Sequence, residues 1–185
     1  MRLKEVVQKW YYNNSSELNR TLFESTLAPE VVSALSDWIK NSKNSGVLIG
    51  GMALSYHAIP RYTSDIDVIY LSENDVPKMV QGFKKTRSHA FTHVQTGVEI
   101  KILTPEFLKI PRELVQAIVK TSASSNGLQI ASKSGLITLK LYRKSRRDQA
   151  DISDLIRSGD IDLKPFIKWI APEDMNLYKE IEKNP

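Results

Sequence analysis

Two short features of this chain have residue types suited to phosphate chemistry. A glycine pair, Gly50-Gly51, follows the apolar run Val47–Ile49, and two aspartates one residue apart, Asp65 and Asp67, come after residues 52–64. A glycine pair between a strand and a helix lets backbone N–H groups approach an anion at the helix N-terminus. Aspartates two apart on a strand project from one face, and carboxylates side by side repel unless a cation lies between them. Mg²⁺ takes oxygen ligands, commonly one or two carboxylates plus substrate phosphates. A phosphate cradle opposite such a carboxylate pair is what phosphoryl transfer needs. Each half alone is commonplace, because a strand–Gly-Gly–helix junction is most often a tight turn and Asp-x-Asp most often a solvated strand edge. The combination is the specific signal.

The elements that must position these residues follow from apolar periodicity and turn chemistry. Val6, Val7 and Trp10 recur at helical spacing, and Pro29 opens a helix carrying Val31, Val32, Leu35, Trp38 and Ile39. The turn residues 41–46 end it. A buried strand is expected over residues 47–49 and a helix over 52–58, broken by Pro60. Residues 66–70 read as a strand with Ile66, Val68 and Tyr70 on one face and Asp67 on the other. Ser72 is expected to cap a helix running through Val76, Met79, Val80 and Phe83. Residues 91–94 and 98–103 read as a hairpin turning at 95–97. A helix over 113–120 and a strand over 128–131 precede a helical third, with Leu136, Leu139 and Leu141, then Ile152, Leu155 and Ile156, then Phe166, Ile167 and Ile170 at apolar positions. Gly159 marks a break between helices.

The expected class is α+β: a small mixed β-sheet with flanking helices and a helical C-terminal part. The organisation is N-terminal helices packed on the core over 1–45, an α/β core over 46–131 and a helical subdomain over 132–185.

With 185 residues the chain suffices for one full domain. It has no cysteine, so a disulfide framework and a thiolate metal site are excluded. The longest nearly uncharged stretch is too short and too polar to cross a bilayer, and charges at Lys4, Glu5 and Lys9 interrupt any signal-peptide core. A cytoplasmic location without membrane contact is expected. The net charge is +5, gathered in one cluster at Lys84, Lys85 and Arg87 and a denser one at Lys133, Lys140, Arg143, Lys144, Arg146 and Arg147. Such clusters attract polyanions, although a single charge run is more often a solvated helix face.

The stretch IGGMALSYHAIPRYTSDIDV resembles the signature of the nucleotidyltransferase superfamily related to DNA polymerase β: hydrophobic-Gly-Gly, a gap, then Asp-hydrophobic-Asp-hydrophobic. Arg61 and Thr63 before the aspartates are similar to the bacterial branch that includes AbiEii-type abortive-infection toxins. The later segment GLITLKLYRKSRRDQADISDLI is similar to that branch as well, through Lys140-Leu141, Arg146-Arg147, Asp148 and Asp151-Ile152. The resemblance covers residues 46–156 in two blocks and implies a minimal nucleotidyltransferase fold. It implies that Gly50 and Gly51 hold a nucleoside triphosphate, that Asp65 and Asp67 bind Mg²⁺ (or Mn²⁺), and that Lys140 and Arg61 contact phosphate. Asp148 or Asp151 would orient the basic side chains or touch the nucleotide, with Thr63 part of the nucleotide site.

The superfamily usually adds a third carboxylate from a later strand. Glu99 in GVEIKILTP has that chemistry and is expected to complete the catalytic and metal-binding set. In the AbiEii-like pattern the acid often stands two residues later, where this chain has Lys101, so an ammonium there is the alternative. His57 reads as a packing or capping residue. His89 and His93 lack helix-borne zinc spacing, and Trp10, Trp38 and Trp169 read as core. Lys133 and Lys144 read as surface.

The resemblance implies transfer of NMP from an NTP to an acceptor. RNA, tRNA in particular, is the expected acceptor, and the protein would be the toxin of a toxin–antitoxin pair with a cognate antitoxin as partner. The alternatives are a small-molecule nucleotidyltransferase of the aminoglycoside or lincosamide kind, and a catalytically inactive nucleotide- or RNA-binding relative.

Overall fold

The structure, a computed structural model, describes residues 28–44, 46–58, 62–125 and 128–185. The helix expected around Val6, Val7 and Trp10, and the positions Pro60 and Arg61, lie outside the described residues. The elements run α1 (Pro29–Asn41), β1 (Val47–Ile49), α2 (Gly50–His57), β2 (Asp65–Ile69), β3 (Phe83–Arg87), β4 (Ala90–His93) and β5 (Glu99–Leu103). There follow α3 (Pro105–Leu108), α4 (Arg112–Thr121), β6 (Ala123–Ser125), β7 (Leu128–Ile130), α5 (Lys133–Arg143), α6 (Arg146–Arg157) and α7 (Pro172–Lys183).

The strands form one mixed sheet in the order β3-β4-β5-β2-β1-β7-β6. β1 runs antiparallel to β2 and parallel to β7, while β2 and β5 run parallel. This is the expected α+β class. Strand alternation divides the sheet chemically. Ile66 and Val68 of β2 and Ile100 and Ile102 of β5 share one face and are buried. Phe91 of β4, paired with Ile100, extends that face to Trp38 of α1, whose ring lies 5.3 Å from that of Phe91 and 5.1 Å, edge-on, from that of Phe83. The other face carries Asp65, Asp67, Glu99 and Lys101.

One core links the N-terminal helix to the C-terminal ones, from Val31 through Leu54 and Leu136 to Tyr178. α5 starts where the Ser132 hydroxyl accepts a bond from the Gly135 N–H at 3.2 Å. α6 starts with a capping box, in which Ser145 Oγ caps the Asp148 N–H at 3.1 Å and the Asp148 carboxylate takes the Ser145 N–H at 3.3 Å. These caps fix where both helices present their polar faces.

Several expectations are corrected. The helix from Ser72 through Phe83 is absent, and only a 3₁₀ turn, Glu73–Asp75, forms there. Pro77 pushes Val76 into extended backbone (ψ 128°), which stops a helix. The Ser72 hydroxyl bonds the Asp75 carboxylate instead of capping, Met79 is 88% exposed, and Phe83 opens the edge strand β3. Lys84, Lys85 and Arg87 on β3 are exposed, as a charged edge must be to discourage further pairing. Residues 164–169 form a 3₁₀ helix, with Phe166 buried and Ile167 exposed. The helix after β1 begins at Gly50 rather than at residue 52, and β2 begins at Asp65 rather than at residue 66.

Trp38 is fully buried between two aromatic rings of the edge hairpin. Trp38→Ala is expected to cost about 3–5 kcal/mol. Urea denaturation would read this as a lower midpoint with an unchanged slope.

Candidate active site

The site is organised around Asp67. The antiparallel register sets Ile49 opposite Asp67, so the chain leaves β1 beside that carboxylate and turns at once into α2. The turn uses Gly50 at φ +66°, a conformation that L side chains rarely adopt. A Cβ on Gly50 would collide with Asp67 Oδ2 and approach Cγ to 2.9 Å. Gly50 is therefore required twice, for its backbone and for its missing side chain. Gly51 follows in the first turn of α2, and its carbonyl accepts a bond from Ser55 Oγ at 3.0 Å.

Asp65 is gripped from both sides. Thr63, itself buried, donates its hydroxyl to Asp65 Oδ1 at 3.2 Å. The Lys101 ammonium donates to Asp65 Oδ2. Burial pushes the Asp65 carboxyl up, but the hydrogen bond and charge of Lys101 and the Thr63 hydroxyl outweigh it and hold the group below the usual aspartate range. Asp67 goes the other way. Burial and then the neighbouring Asp65 charge raise it, against the weaker pull of Lys101, Arg143 and Lys140.

The facing wall comes from α5 and α6. Lys140 is only 7% exposed and its ammonium donates to Asp151 and, at 3.4 Å, to Asp148 Oδ1. Asp148 Oδ2 is taken by Ser145 Oγ at 2.6 Å and lies 3.7 Å from Arg143 Nε. Burial raises the Asp148 carboxyl, yet Ser145, Lys140 and Arg143 together hold it below the usual range. A buried cation shared by two buried carboxylates is costly to break, because whichever group loses its partner stays desolvated.

Between these walls lies a cavity of about 660 Å³, within the range of small-molecule sites. Gly50, Gly51, Thr63, Asp65, Asp67, Lys140, Asp148 and Asp151, all expected at the site, line it together. Arg61 lies outside the described residues. Glu99 does not reach the cavity, although it was expected to complete the carboxylate set. The parallel pairing of β2 with β5 puts Glu99 opposite Asp65 and Lys101 opposite Asp67. Lys101 lines the cavity, whereas Glu99 faces Arg87 Nη2 at 4.0 Å.

Other lining residues, Arg147 apart, carry no motif. Phe107, Leu108 and Lys109 follow β5, and Tyr142, Arg143 and Arg147 complete the helical wall. Phe107 is half exposed and Tyr142 partly so. They reach the cavity because β5 and α5 end there, a consequence of topology that local composition does not encode. The histidines serve the scaffold. His57 Nε2 bonds the Ala131 carbonyl at 2.7 Å, and the buried His93 lies between Asp37 and Thr96.

The aspartate pair fits a divalent cation. It offers carboxylate oxygens on one strand face, and burial, then the neighbouring Asp65 charge, raise Asp67. Among the described residues no group of three or more His, Cys, Asp or Glu side chains is placed to hold a metal ion. The fit is therefore to a cation that takes two protein carboxylates and completes its shell with water and phosphate oxygens. Among the described residues no helix is long and apolar enough to cross a membrane.

Residues 29–184 match the model of a family described as a nucleotidyltransferase of unknown function, DUF6036. No curated protein matches the chain.

Two outcomes are expected of this geometry. Gly50→Ala should destabilise the fold by more than the ~1–2 kcal/mol of a left-handed alanine, since Asp67 must also move; thermal unfolding reads this. Asp67→Asn should raise Tm at pH 7. Folding raises the Asp67 pKa, so its unfavourable contribution is present above the folded value and vanishes below the ordinary value of 3.8. The difference from wild type should therefore close as pH falls through the acidic range.

Proposed function

Because the chain belongs to the DUF6036 family of nucleotidyltransferases, we propose that it transfers NMP from an NTP to an acceptor hydroxyl in this cavity and releases pyrophosphate. The observation that carries the reading is the convergence of Gly50-Gly51, the Asp65/Asp67 pair and the cations Lys140, Arg143 and Arg147 on one space. Gly50 and Gly51 bring backbone N–H groups of the α2 start within reach of the triphosphate. Arg143 and Arg147 draw its negative charge, and Asp148 and Asp151 hold Lys140 aimed along the same wall.

Asp65 and Asp67 would hold Mg²⁺ or Mn²⁺, which when bound supplies charge neutralisation at the α-phosphate and a lowered acceptor pKa. The acceptor hydroxyl gives its proton to an aspartate carboxylate and bonds to the α-phosphorus. The bond from that phosphorus to the pyrophosphate oxygen breaks, and pyrophosphate leaves with the electron pair. Phe107 and Tyr142 offer apolar ring surface for the base.

The acceptor we favour is RNA. The exposed Lys84, Lys85 and Arg87 lie on the edge strand of the sheet, Lys84 on the face that carries the aspartates and Lys85 on the other, over Phe91, and such a charged edge favours a polyanion. The AbiEii-type resemblance extends this to tRNA, with the protein as a toxin held by a cognate antitoxin. The cavity volume favours a small-molecule acceptor as the second reading.

The test incubates the protein with Mg²⁺, α-labelled NTPs and total RNA. Label should enter RNA, and Asp67→Asn should lower the rate at least about 10³-fold while remaining folded. Label entering only a small hydroxylated acceptor would replace RNA with the second reading. Nucleotide bound without transfer to any acceptor would sink catalysis and leave a binding relative.

A further inference from the structure

On the cavity wall, beside the aspartate pair, the neighbouring strand presents an ammonium. Lys101 is the register partner of Asp67, and its Nζ is bonded across to Asp65 Oδ2. Glu99, one step back on the same strand face, is directed to Arg87 and does not line the cavity. Among the described residues the two strands therefore bring together two carboxylates and one ammonium, with Lys140 and Arg143 acting on Asp67 at longer range. A single divalent ion on Asp67 and the accessible part of Asp65, together with the Lys101 ammonium, overbalances the two carboxylates. A second divalent ion would have to sit against Lys101, with one carboxylate oxygen already engaged; among the described residues no third carboxylate stands beside the pair, since Asp148 and Asp151 on the facing wall are committed to Lys140. The Lys101 side chain is 43% exposed, and a four-carbon stem lets an ammonium pivot between a carboxylate and a phosphate oxygen.

The geometry points to Lys101 as a built-in replacement for a second metal ion: the site takes one divalent cation per bound nucleotide, and the Lys101 ammonium supplies the second positive charge. This rests on the nucleotidyl-transfer reading and concerns only the cation count, so the two can fail separately. Lys101 is a positioning residue on the metal side, holding Asp65 in place before nucleotide arrives.

The test is a Mn²⁺ titration of the full chain by electron paramagnetic resonance, with saturating NTP analogue whose α,β bridge is a methylene group. Wild type should bind one Mn²⁺ per nucleotide complex and show no spin-coupled pair. Lys101→Glu should bind two and show the coupled signal. Lys101→Met, similar in length but uncharged, should tighten any second binding step at least about tenfold relative to wild type, and circular dichroism checks that both variants fold. Two coupled Mn²⁺ ions in wild type would overturn the inference and leave nucleotidyl transfer standing. A single Mn²⁺ in Lys101→Glu with no tightening in Lys101→Met would also overturn it. No nucleotide-dependent Mn²⁺ binding in folded wild type would overturn both readings.

Discussion

The contact on which the site depends is that of the Asp67 carboxylate with the α-carbon of Gly50. It exists because β1 pairs antiparallel with β2 in a register that ends at Ile49 opposite Asp67. The chain must then reverse into α2 within one residue, over a half-buried acid. Only a residue able to take a left-handed φ without a Cβ can make that turn there. The glycine and the aspartate are thus two sides of one steric solution. The first turn of α2, where a phosphate would seat, and the strand that would hold a cation are fixed relative to each other by direct packing.

Electrostatics shapes what surrounds that contact. Asp65 and Asp67 are partly removed from water and lie on one strand face, an arrangement unfavourable in itself. The fold answers by bringing cations from two directions. Lys101 comes from β5 onto Asp65, and Lys140 and Arg143 come from α5 and bear on Asp67 at longer range. Lys140 is in turn committed to Asp148 and Asp151, and Asp148 to the cap of α6. Helix start, buried ion cluster and cavity wall are consequently one connected structure. Among the described residues Asp65 is held by an ammonium and a hydroxyl, whereas cations act on Asp67 only through their charge.

The legible parts of the fold were those whose pattern was local and strong. Leu35 and Trp38 repeat at helical spacing and are buried. The hairpin turning at Gly97 has both its strands, and the glycine there adopts φ +74°. Residues 72–83 misled because Val76, Met79, Val80 and Phe83 mimic a helical face, whereas Pro77 forbids the backbone and Phe83 is recruited into an edge strand by pairing with His93. β6 has almost no strand signal in its own residues, and pairing with β7 makes it a strand. In the site, Gly50, Gly51, Thr63, Asp65, Asp67, Lys140, Asp148 and Asp151 line one cavity, whereas Glu99 does not. Phe107, Lys109 and Tyr142 lie in no motif and arrive because the elements carrying them end at the same rim.

By itself the sequence determined which chemistry was available: a glycine pair after a strand and two aspartates on one strand face, with Lys140, Asp148 and Asp151 added only by the family resemblance. The aspartate pair depends on a periodicity of two residues, which the chain carries within a few positions. Only the tertiary structure decided which of Glu99 and Lys101 lines the cavity. Both project from the same face of β5, so no local pattern separates them. The parallel register with β2 does, setting Lys101 beside Asp67 at the cavity and leaving Glu99 to Arg87. Register is a property of two strands held by a common core, and a single strand does not contain it.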